Sequence, residues 1–261
     1  MTIVLTFKQI RILLLLIVLL LVVHNVFNDR ARIASWEVPL FVSVYPVNAD
    51  GSEVVDGFMA SLAAADFQPI AEKMRSEARR WNVALQTPIY IELAEATDNP
   101  PPPTPIHGNV LQRMWWVLRL RWWRWRFDDQ GRDPDIVVIA RYHVPVAGRV
   151  LPHSIGLERV RIAIANLFAS EAMQGQNRVV ILHELLHTVG ASDKYDLETN
   201  LPIYPQGYAE PDRRPRYPQR LAEIMAGRIP VDRGRAEQAP SLERTIIGPE
   251  TADELGWFGR Q

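Results

Sequence analysis

The chain has 261 residues, with 48% apolar and 23% charged side chains, a formal net charge of -1 and no cysteine. Such a composition belongs to a folded chain rather than a disordered one, and near-neutrality excludes a general pull toward nucleic acid or anionic surfaces, so any charge-driven contact must be local. Without cysteine there are no disulfides, thiol nucleophiles, thiolate metal sites or lipoprotein anchors, and a transition metal can be held only by His, Asp or Glu.

Lys8 and Arg11 precede residues 12–23 (ILLLLIVLLLVV), and Val26 and Phe27 extend the run past His24 and Asn25. A helix over residues 12–27 is roughly 24 Å long, slightly short of a bilayer core of about 30 Å, and Arg11 can snorkel. Ala31 and Ala34 have Asp29 and Arg32 two positions before them, which makes both poor signal-cleavage sites. The reading is an uncleaved signal anchor over residues 1–35: a single-pass membrane protein with its N-terminus inside and the body, residues 36–261, outside the cytoplasm. Trp36 stands where an interfacial aromatic would.

Residues 38–47 (VPLFVSVYPV) predict a strand and residues 48–51 (NADG) a turn. Phe58, Leu62, Ala65, Phe67, Ile70 and Met74 have helical spacing, predicting one or two helices over residues 55–80 with a break near Pro69. Residues 88–93 (PIYIEL) predict a second strand, residues 97–105 (TDNPPPPTP) a stiff loop and residues 135–142 (DIVVIARY) a third strand. Residues 146–155 and 161–168 are candidates for two more, residues 177–189 predict a helix, and a short helix over residues 249–255 closes the domain. Strand, helix, strand, further strands and a helix make one α/β layered domain, without internal repeats.

Residues 180–196 read VILHELLHTVGASDKYD. His183 and His187, four apart, share one face of a helix, so two imidazole nitrogens can converge on an ion about 2.0–2.1 Å away. Glu184 leans to the same side without joining the ligand set, where it can take a proton from a metal-bound water and return it to a leaving group. Gly190 can adopt the left-handed conformation that ends a helix, and Asp193, three residues on, can reach the metal from the returning segment. Asp196, Glu210 and Glu223 are rival third ligands.

The run H-E-L-L-H-T-V-G-A-S-D resembles the signature of the metzincin clan of zinc peptidases, H-E-x-x-H-x-x-G-x-x-H, with Asp193 in place of the third histidine. That variant is similar to the snapalysin family, and G-A-S-D-K-Y-D is similar to immune inhibitor A-type peptidases with their G-x-x-D-x-Y-D. The resemblance is sharp over about 17 residues. It implies one Zn2+ per chain on His183, His187 and Asp193, with Glu184 as general base. It also implies a methionine in a tight turn beneath the metal, for which Met225 is the candidate, and a zincin-like fold: a mixed sheet with an antiparallel edge strand ahead of the metal helix. Nothing in the sequence supports a structural Ca2+.

Residues 113–127 (RMWWVLRLRWWRWRF) hold five tryptophans and five arginines, and fit a helix or a bulged strand or hairpin equally well. Trp115, Trp116, Trp122, Trp123 and Trp125 suit a lipid bilayer interface, a protein partner, or packing on the domain itself. Nucleic acid is not expected, since one short run of arginines is too few. His143 and His153 are candidate substrate or second-metal ligands, with ordinary polar roles the default. Tyr195, Tyr204 and Tyr208 are candidate oxyanion or substrate contacts, and Arg213, Arg214, Arg216 and Arg220 line a Pro-rich stretch. The expected function is a membrane-anchored zinc endopeptidase acting on peptide or protein substrates, laid along an edge strand within residues 146–157. The alternative is a non-catalytic zincin-like membrane module that binds a protein through residues 113–127.

Overall fold

The computed structural model describes residues 35–95, 100–103, 105, 108–126 and 134–258, with isolated positions 8, 11, 15, 16 and 20. The anchor expected over residues 12–27 lies outside the described residues apart from those isolated positions. Among the described residues, no helix is long and apolar enough to cross a membrane.

A five-stranded sheet forms the centre, built from β1 (Leu40–Asn48), β2 (Ile89–Leu93), β3 (Ile136–His143), β4 (Ile155–Leu157) and β5 (Ile162–Phe168) in the order β2-β1-β3-β5-β4. β2, β1, β3 and β5 run parallel, and β4 pairs antiparallel with β5 at the edge. The fold is therefore mixed α/β with an antiparallel edge strand. Residues 146–154 contain no strand, so only the last residue of the candidate strand over 146–155 joins the sheet.

Alternation along the strands sends side chains to two cores. On one face Leu40, Val42 and Val44 join Ile136, Val138, Ala163 and Ala165 beneath three helices. These are α1 (Glu53–Ser61), α2 (Gln68–Arg80) and α4 (Gln174–Thr188), while α3 (Val110–Arg126) packs on the other face. Asn48 braces the predicted turn by accepting from the backbone N–H of Asp50 and Ser52, and Ser52 caps α1 through Val54 N–H. The break falls before Pro69, which occupies the first turn of α2, where its missing N–H costs nothing.

The tryptophan-rich segment is a helix, which settles the choice between helix and strand. β2 and β3 are parallel, so the chain must return along the sheet between them, and a helix is the usual crossover. Asn109 and Gln112 close a capping box at its start, each side chain accepting from the other's backbone N–H at 2.9 Å. Trp116, Leu120 and Trp123 form the buried stripe, packed on Val137, Ile139, Ile162 and Ile164. Trp116 and Trp123 are only 7% exposed. They are core residues, which removes them from the candidate membrane or partner contacts.

Beyond α4 lie two-stranded ribbons, β6 (Ala222–Glu223) with β9 (Thr245–Ile246) and β7 (Arg228–Pro230) with β8 (Ala236–Gln238), then α5 (Pro249–Glu254). Trp36 is buried, stacked edge-on against Trp257 at 5.5 Å and donating its indole N–H to Leu255 O. It ties the start of the domain to its end and does not face a membrane.

Candidate metal centre

His183 and His187 lie on the last two turns of α4. The helix ends as the sequence predicts: Gly190 has φ +104, Ala191 N–H donates to Leu186 O and Gly190 N–H to His187 O. This Schellman pair satisfies carbonyls that the helix end would leave unpaired. It also folds the chain back so that Ala191 O accepts from His187 Nδ1 at 2.8 Å and Asp193, two residues later, meets both rings.

His183 Nε2, His187 Nε2 and Asp193 Oδ1 mark a triangle with edges of 3.1 Å. Each histidine Nδ1 faces a backbone carbonyl, Ile224 O for His183 and Ala191 O for His187, and a carbonyl can only accept. In the neutral rings the protons therefore sit on Nδ1, and both Nε2 atoms present lone pairs. Three lone-pair donors crowded at one point repel each other unless a proton or a metal cation lies among them. Among the described residues this His–His–Asp group could hold a metal ion.

The electrostatics agree. Burial disfavours a charged His183, yet the Asp193 hydrogen bond, the Glu184 charge and the bond to Ile224 outweigh it and push its pKa up to about 9. Burial opposes ionisation of Asp193 too, but its hydrogen bonds to His183 and His187 hold it well below the usual carboxylate range. The point between these side chains attracts positive charge. Glu184 is the complement: burial raises its pKa, with the two histidines opposing and Asp193 reinforcing the rise. Its Oε2 is buried without a hydrogen-bond partner among the described residues. A buried carboxylate oxygen without a hydrogen bond is expensive to keep, which makes Glu184 a candidate functional group.

The supporting turn comes from residues 223–226. Glu223, fully buried, accepts from Met225 N–H, Ala226 N–H, Gly248 N–H and the Thr251 hydroxyl. That commitment makes it the organiser of the turn rather than a third ligand. The turn presents Ile224 O to His183, buries Met225 completely and offers Met225 O to Lys194 N–H. Lys194 and Ser192, on either side of Asp193, are both bound to Glu254 of α5. The other rivals are also occupied elsewhere. Asp196 braces its own turn through Thr199 and Glu198, and Glu210 pairs with Arg220 and Arg213.

Gly156 of β4 explains how the edge strand approaches the site. A Cβ there would collide with Glu184 O and with His187 Cβ, so glycine lets the strand lie directly against the turn of α4 that carries His183, Glu184 and His187. Nothing in the sequence singled this glycine out, since its role depends on what packs over it.

The tyrosines separate. Tyr195 stands 6.2 Å from His183 between ring centroids, and burial, followed by the Asp193 and Glu184 charges, pushes its pKa up to about 12. Tyr204 and Tyr208 pack on each other, Tyr208 shares a hydrogen bond with Tyr217, and Arg216 covers Tyr204. Arg213 and Arg220 are held by Glu210, and Arg214 by Arg213 O. His143 is buried between Asp50 and Asn166, with Arg149 clasping Asp50, and His153 is exposed. Neither histidine joins a second metal-competent group among the described residues.

Comparison with protein families finds no matching family, and comparison with characterised proteins finds no match.

Proposed function

We propose that this chain is a membrane-anchored zinc-dependent endopeptidase with a zincin-like domain over residues 36–261. The observation that carries this reading is the convergence of three lone-pair donors at 3.1 Å beside a buried carboxylate with an unpartnered oxygen. Two imidazole nitrogens and a carboxylate oxygen suit zinc, and His183, His187 and Asp193 would hold it. A bound zinc supplies an acidified water and polarises the substrate carbonyl.

The residues of the chain do the rest. Glu184 accepts the proton of the attacking water and returns it to the leaving amide nitrogen, and its burial raises its proton affinity toward what that exchange needs. Tyr195 keeps its phenolic proton through the neutral range and can donate to the carbonyl oxygen as charge develops there. β4 is the last strand of the sheet and lies against Glu184 and His187 through Gly156, so an extended peptide pairing with its outer edge would pass beside the donor triangle. The antiparallel edge strand ahead of the metal-bearing helix and the buried Met225 in its turn support the zincin-like reading.

The test is zinc content together with cleavage of an unfolded protein substrate by the full chain and by His187→Ala and Glu184→Gln. The expected result is one zinc per chain, lost in His187→Ala and kept in Glu184→Gln, with cleavage lost in both. Zinc bound without cleavage by the unmodified chain would favour the non-catalytic module instead.

A further inference from the structure

α3 has two apolar faces, and the sheet covers only one. Opposite the Trp116, Leu120 and Trp123 stripe, Leu111, Met114, Trp115, Leu118, Trp122 and Trp125 form a second stripe at helical spacing. Trp115, Trp122 and Trp125 are 64%, 57% and 80% exposed. Large apolar side chains in a row on a surface mark an interaction site.

Charge and topology identify the occupant. α3 carries five arginines and no acidic residue in a chain of net charge -1, so positive charge is concentrated at this surface. Arg119, Arg121 and Arg126 are exposed beside the stripe, and Arg126 lies 4.7 Å over the Trp122 ring. Tryptophan flanked by arginine matches the headgroup layer of an anionic bilayer, where the rings enter the interface and the guanidinium groups meet phosphate. The C-terminal end of α3 reaches the sheet end where β3 begins, through Arg124 to Pro134 O. β1 begins at that same end, with Phe41 N–H donating to Asp135. The chain therefore enters the domain, from the apolar run at residues 12–27, at the end that carries Trp122 and Trp125. We infer that the outer face of α3 docks on the surface of an anionic bilayer, holding the domain flat beside its N-terminal anchor.

The inference stands apart from hydrolysis and uses only the anchor from the proposed function. The test is full-length chain reconstituted in vesicles of phosphatidylcholine, with and without phosphatidylglycerol, whose acyl chains are brominated near the headgroup. Tryptophan quenching and vesicle flotation are read together. The expected result is flotation with strong quenching in the anionic vesicles, weaker quenching without phosphatidylglycerol, and at least about a two-fold loss of quenching in the triple variant Trp115→Gln, Trp122→Gln, Trp125→Gln. That variant should keep its helical circular dichroism and zinc content, because these side chains lie outside the core. Flotation with equal quenching in wild type and variant would overturn the docking of α3 while leaving the anchor. A chain that does not float would overturn both. Absent quenching, with detergent-solubilised dimers that the variant dissociates, would overturn lipid in favour of a second copy.

Discussion

α3 and α4 lie on opposite faces of one sheet and break the usual rule of burial in opposite directions. α4 buries polar groups: His183 and Glu184 are enclosed on a helix whose other buried residues include Val179, Ile181, Leu182, Leu185 and Leu186. α3 exposes apolar ones, with Trp115, Trp122 and Trp125 in solvent. Each departure costs free energy, polar burial through desolvation and apolar exposure through lost hydrophobic gain. The comparison teaches that each helix is marked by its misplaced class of side chain rather than by being a helix. In α4 the misplaced groups converge on a point, as the proposed chemistry requires. In α3 they spread along a face, as the proposed docking requires.

The sharpest way to break this contrast is Glu184→Gln, expected to lower peptide hydrolysis by about 10²–10⁴-fold with metal content unchanged. Retained hydrolysis would mean that the buried carboxylate is structural. Next comes a pair within α3. Trp123→Ala should cost about 3–5 kcal/mol in denaturant unfolding, and Trp125→Ala no more than about 0.5 kcal/mol. Equal losses would show that the two faces are not distinct.

Gly156→Ala tests the approach of β4 to α4. Its methyl group meets the Glu184 carbonyl and His187 Cβ, so a loss of about 1–3 kcal/mol is expected together with weaker metal retention. Unchanged stability and metal content would place the strand farther from the site.

The smallest effect concerns Asp50, which holds the loop leading to β4. The Arg149 hydrogen bond keeps its folded pKa below the ordinary 3.8, against some desolvation, with Val144 N–H and His143 adding to the lowering. A depressed carboxylate stabilises the fold fully above its unfolded pKa and loses that contribution as pH falls through the folded one. The stability advantage of wild type over Asp50→Asn should therefore shrink on acidification below about pH 4 in thermal unfolding. A constant difference would show that Asp50 acts through neutral hydrogen bonds alone.

Much of the site was legible because it is local. His183, Glu184, His187, Gly190 and Asp193 span eleven consecutive residues, and helix periodicity plus a left-handed glycine place them without distant information. The residues that direct them were not legible. Ile224 acts through its carbonyl, Glu223 reads in sequence as a rival ligand and Glu254 as an ordinary acid, and Gly156 matters only because α4 crosses it. The capping box of Asn109 and Gln112 was available as a signal for α3, but the alternation of tryptophan and arginine masked it.

The sequence by itself determined three strands of the central sheet, the helix that carries His183 and His187 and its abrupt end, since these follow from side-chain periodicity and backbone sterics over short windows. Only the tertiary structure decided that Trp36, Trp116 and Trp123 are core while Trp115, Trp122 and Trp125 are surface. Only it decided that Glu223 builds a turn and that the donor triangle closes at 3.1 Å. Burial and convergence are properties of what lies across the fold, and residues 183 and 224, or 156 and 187, meet only once the sheet has ordered its strands.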